Sequence, residues 1–141
     1  MGGHNKKTIV LTDKFLPNIT DLDAVKKETR NILESVYNRF MNEANYNNLE
    51  KTRSALMQYR FIHKDWILPQ GRYIRYISTK NPNNIVLRCG GFVLDCNKYI
   101  ITIFNKYIGK HVVSRKENII FMKLNADDIM RCSLLEEFIK D

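Results

Sequence analysis

The feature that most constrains this chain is a change of hydrophobic period near Trp66. Before it, apolar residues recur every three or four positions, and after it they alternate at every second position. From Asp21 to about Tyr46 the apolar set is Leu22, Val25, Ile32, Leu33, Val36, Tyr37, Phe40, Met41 and Ala44, one face of an amphipathic helix. Thr20 is the expected N-cap, with Asp23 three residues on, and this helix is expected to pack on its own domain. Asn45-Tyr46-Asn47-Asn48 reads as a break, followed by a second helix over residues 49–62.

Beyond Trp66 the alternation predicts five strands, over residues 72–79, 84–95, 98–105, 110–114 and 118–124, separated by short turn-like joints. Gly90-Gly91 falls inside the second of them, where paired glycines mark a bulge or sharp bend. Five short strands with one bent at glycine predict a small, closed or half-closed antiparallel barrel. Asn125 then caps a terminal helix with Asp127 and Asp128 in its first turn and Ile129, Leu134, Leu135, Phe138 and Ile139 as its apolar residues. The expected organisation is α+β: a tail over residues 1–20, a helical arm over 21–64, a five-stranded SH3-like barrel over 65–124, and a C-terminal helix over 125–141.

Charge follows the same division. The chain of 141 residues carries a net charge of +8, yet residues 1–50 are neutral and residues 117–141 sum to −3. Residues 51–116 hold thirteen Lys and Arg against Asp65 and Asp95 alone, a local excess of +11. Such asymmetry points toward a polyanionic partner. Within that segment, cations sit beside aromatics. "GRYIRYI" at 71–77 contains Arg72-Tyr73 and Arg75-Tyr76, and Lys98-Tyr99 and Lys106-Tyr107 follow, with Tyr59-Arg60-Phe61 upstream.

If Ile74 and Tyr76 face inward, Tyr73, Arg75 and Ile77 stand on the other face, since the reverse register would bury Arg75. Cations that pair with phosphates and rings that stack on bases suit single-stranded nucleic acid, at roughly 1–3 kcal/mol per stacked base. The candidate contact set is Arg72, Tyr73, Arg75, Lys98, Tyr99, Lys106, Tyr107, Lys110, Arg115 and Lys116. Against it stands the plainer reading, in which Tyr is a strand residue and Arg covers apolar surface with its stem. Cations clustered on one face would favour nucleic acid; dispersed cations would favour a protein-binding or assembly role.

Catalysis has little support. His4, His63 and His111 are scattered, no Cys-x-x-Cys or His-Glu-x-x-His exists, and no Walker or dinucleotide glycine loop appears. No enzyme activity, metal or cofactor is therefore expected. Cys89, Cys96 and Cys132 are odd in number and read as reduced thiols, since the N-terminus lacks the apolar stretch of a secretory signal. No apolar run reaches the roughly 20 residues of a membrane span.

The succession "GRYIRYI", "LRCGGFVL", "YIITIF" and "NIIFMKL" resembles the small barrels of uncharacterised proteins from nucleocytoplasmic large DNA viruses, and in general layout SH3- or Tudor-type barrels. The resemblance covers about residues 66–124 and brings no catalytic residues with it. It implies a component of the virion or virus factory, in the host cytoplasm and not secreted, that acts by binding. The leading expectation is a nucleic-acid-binding module, and the alternative is a structural or assembly protein of minor-capsid or scaffold type that binds other proteins through its helical arm and barrel. A self-complementary version of the second would set the acidic tail of one copy against the basic segment of another in a homo-oligomer.

Overall fold

The computed structural model describes residues 14–140, with side chains described from 15 to 135. Most of the expected N-terminal tail, with His4, and the side chains of Phe138 and Ile139 lie outside that range. The element order is β1 (Lys14–Phe15), α1 (Leu22–Arg39), α2 (Glu43–Ala55), β2 (Tyr59–Ile62), β3 (Trp66–Ile67), β4 (Tyr73–Ser78), β5 (Leu87–Cys96), β6 (Ile100–Asn105), β7 (Gly109–Ser114), β8 (Asn118–Lys123) and α3 (Ala126–Lys140). The fold is α+β, as expected: two N-terminal helices, an antiparallel sheet and a C-terminal helix.

The sheet has six strands in the order β2-β8-β4-β5-β6-β7, and its ladder is open, with β2 and β7 as edges. The expected five-stranded barrel, closed or half-closed, is thus an unclosed sheet of six strands. The sixth strand comes from residues expected to end a helix. Tyr59-Arg60-Phe61-Ile62 pairs along its length with Lys123 to Ile120, because two aromatics and an Ile gain more as a half-buried strand than as a helix end. The small parallel pair of β1 and β3 stands apart from this sheet.

Although unclosed, the sheet curls. One buried cluster takes Ile62 from edge strand β2, Ile74, Val93, Ile101, Ile103, Ile120 and Met122 from the middle, and Val113 from edge strand β7. Flat, six strands would hold those edges about 24 Å apart at ~4.8 Å per strand. Two glycines permit the bend. A Cβ on Gly90 would fall 1.5 Å from the Ile74 carbonyl oxygen, and one on Gly91 would fall 2.5 Å from that of Phe104. The β4–β5 register shifts between Ile74 and Tyr76, and β5–β6 shifts between Val93 and Asp95, so the expected bulge is present.

The other face of the sheet meets the helices. Leu33 and Tyr37 of α1 pack on Tyr59, Ile77 and Phe121, with Leu56 just after α2 in the same cluster. Asp21, not Thr20, caps α1, accepting from the Ala24 N–H at 3.1 Å. Thr29 of α1 accepts the Phe61 N–H of edge strand β2 at 2.9 Å, so that edge is partly answered.

The Asn-rich stretch is not a break but the start of α2, capped by Asn42. Asn45 is fully buried. Its Oδ1 accepts the Ile85 N–H at 2.7 Å, and its Nδ2 donates to the carbonyls of Phe40 and Pro82. A side chain that reads as a turn residue here ties the β4–β5 connection to the helices.

Candidate binding surface on the bare half of the sheet

The alternation expected in "GRYIRYI" holds, but its outer face is only partly open. Ile74 belongs to the inner cluster with Tyr76 packed against it, while Ile77 is buried and Tyr73 half-buried on the helix side. The helices cover β2, β8 and β4. Among the described residues they reach Leu87 at the start of β5 and leave the rest of that face on β5, β6 and β7 bare.

Across the border runs one cross-strand row. Tyr73 lies opposite Phe92, Phe92 opposite Phe104, and Phe104 opposite Lys110, so four neighbours on four strands share one face over about 14 Å. Tyr73 and Phe92 meet edge to face, centroids 5.1 Å apart. Phe92 is 53% exposed and Phe104 44%, and Leu94, Ile100 and Val112 add exposed apolar surface on the same three strands. A contiguous apolar area of this kind on a folded surface marks a place where something docks.

The expected cationic residues do not converge on it. Arg115 is 1% exposed. Its guanidinium donates to the His63 carbonyl at 2.7 Å, the Asn97 carbonyl at 3.0 Å and Cys96 Sγ at 3.3 Å. It thus ties the residue after edge strand β7 to the residue after edge strand β2. This corrects its place among the contact residues: it is the clasp across the open side of the curl. Burial lowers its pKa, opposed by Cys96 and by Asp65. Arg72 is engaged too, donating to Asp128 Oδ2 at 2.7 Å and to the Lys123 carbonyl at 2.9 Å.

Arg75 is half-buried at the border, its Nε donating to the Arg88 carbonyl at 3.2 Å beside Lys51 of α2. The remaining cations divide. Lys98 lies 5.1 Å over its neighbour Tyr99 in the β5–β6 turn, and the Arg115 N–H next to Lys116 bonds to the Tyr99 carbonyl. Lys106 lies 5.0 Å over Tyr107 in the β6–β7 turn, with Lys110 just beyond. These two groups sit at opposite ends of β6, about 20 Å apart for six residues. The surface is an apolar centre with a few lysines at each end, not a basic patch.

Of the expected set, only Tyr73 and Lys110 fall in the row, and the sequence reading missed Phe92 and Phe104. In "YIITIF" nearly every residue is apolar, so alternation carries no sign of which face is covered. Among the described residues no group of three His, Cys, Asp or Glu could hold a metal ion, and no helix is long and apolar enough to cross a membrane. Comparison with family models, with curated proteins and with solved structures finds no match.

Proposed function

We propose that this protein is a non-enzymatic assembly module that binds protein through the bare half of its sheet, and that the first partner is α3 of a second copy. The observation that carries this is the exposed row of Phe92 and Phe104 ending on Lys110. The dispersal of the cations favours a protein over a polyanion.

The helix supplies a fitting counterpart. Cys132 of α3 faces its own core with Ile19 and Leu124, while Met130 and Leu134, four residues apart, form an outward ridge 58% and 55% exposed. Ile129 and Leu135 flank that ridge. An outward ridge of Met and Leu leaves apolar surface uncovered on that side of α3. Residues 117–141 sum to −3, and Lys106 and Lys110 at one end of β6 with Lys98 and Lys116 at the other give that tail cations to meet. Because sheet and helix are different patches, the contact is heterologous and builds chains or rings. The resemblance to small viral proteins, with the SH3-like layout that it implies, is in keeping with a structural part in a virion or virus factory.

A second reading, nucleic-acid binding, is favoured by the lysines at both ends of β6, Lys98 and Lys116 at one and Lys106 and Lys110 at the other. A single strand could stack on Phe92 and Phe104 while those lysines meet its phosphates.

Sedimentation velocity over rising protein concentration, paired with fluorescence anisotropy of labelled single-stranded DNA and RNA, tests both. The assembly reading expects concentration-dependent growth, lost in Phe104→Asp. The nucleic-acid reading expects saturable binding with a log–log salt slope of about −3 for four phosphates, lost in the same variant. A monomer at every concentration overturns the proposed partner, and salt-steep binding by that monomer would put nucleic acid first.

A further inference from the structure

A cavity of about 450 Å³ lies on the opposite side of the sheet from the aromatic row, between residues 15–18, the segment after β3 and the first turn of α3. Three guanidinium groups line it, and they differ in what answers them. Arg72 is closed onto Asp128, whose Oδ2 also accepts the Asn125 N–H at 3.0 Å. Arg131 donates from Nη1 to the neutral Asn18 Oδ1 at 2.8 Å.

Arg60 is 5% exposed, and its guanidinium lies 5.0 Å over the Trp66 ring. Its Nη1 donates to the Pro17 carbonyl at 3.0 Å, and its Nε has no hydrogen-bond partner among the described residues. Among those residues neither Arg60 nor Arg131 forms an ion pair. An arginine keeps its charge, so a buried guanidinium held only by a carbonyl and a ring leaves much of its desolvation unanswered. Burial pulls the Arg60 pKa down, and Asp128 opposes this most. The N-terminus of α3 adds a partial positive charge to the same space. Asp127 also lines the cavity, as an exposed residue.

We propose that this cavity binds a small molecule carrying an oxyanion, a phosphate or a carboxylate, on an apolar group. Arg131 takes the oxyanion, exchanging the neutral Asn18 for a charged acceptor, with the under-compensated charge of Arg60 behind it. Leu16, Ile67, Leu68 and Pro69 take the apolar part. The volume falls within the roughly 300–1,000 Å³ of ordinary ligand sites. The site does not rest on the assembly reading, although Arg131 shares α3 with the Met130–Leu134 ridge.

Calorimetric titration of the full chain with phenyl phosphate, benzoate, inorganic phosphate and benzyl alcohol tests this. Saturable binding of phenyl phosphate or benzoate is expected, with benzyl alcohol inert, and the tighter anion identifies the head group. Arg131 is exposed, so Arg131→Gln should melt like wild type yet bind about tenfold more weakly, the loss of one charged hydrogen bond. Phe104→Asp should bind as wild type does, which separates this site from the assembly face. Absence of saturation by every anion, or equal binding by Arg131→Gln, would overturn the proposal.

Discussion

Two halves of one sheet face carry the same kinds of residue and meet different fates. Under the helices, Tyr59, Ile77 and Phe121 are core with Phe61 packed against them, and Phe121 is fully buried. On β5 to β7, Phe92, Phe104 and Val112 occupy equivalent positions and stay exposed. What separates them is the reach of two helices, so a side chain's position on the face does not by itself decide whether it is core or contact. Stability should reside in the first half and binding in the second.

The largest break in that comparison is Phe121→Ala, expected to cost about 3–5 kcal/mol in urea unfolding through the cavity it leaves. If it cost no more than an exposed Phe, the helices would not be seated as described. Asn45→Ala comes next. It strips the buried Ile85 N–H and two part-buried carbonyls of their partner, and at about 1 kcal/mol each, the low end for a group left unmet, roughly 3 kcal/mol should be lost.

Tyr37→Phe is smaller. The Tyr37 hydroxyl donates to the Ile85 carbonyl and shares a bond with Thr52 Oγ1, both at 3.0 Å, and about 1–2 kcal/mol should go with it. Burial raises the pKa of this tyrosine, opposed by its bond to Thr52, so no ionisation near neutral pH confuses the measurement. At the bottom of the scale, Phe104→Ala should change stability by less than about 0.5 kcal/mol, as surface changes do, while association is lost. A large loss of stability there would make the bare half a second core.

The strands were legible because alternation survives wherever one face is polar, and Gly90-Gly91 announced the bend. Helix α1 was legible for the same reason at a different period. Among the features that were not, three are instructive. Tyr59-Arg60-Phe61-Ile62 became a strand because β8 offered a free edge, which a local pattern cannot disclose. Asn45 read as a turn former because its three partners lie about 5 and 40 residues away. Arg115 read as surface charge because the carbonyls that hold it come from two loops brought together only by the curl.

The central claim is that the bare sheet face of one copy receives α3 of the next. It is tested most directly by mixing two purified variants, Phe104→Asp, whose sheet face is spoiled, and Leu134→Asp, whose helix is spoiled. Sedimentation velocity should find each alone monomeric and the mixture forming a dimer that grows no further, since only one intact sheet face then meets one intact helix. A mixture that stays monomeric while wild type associates would contradict the account.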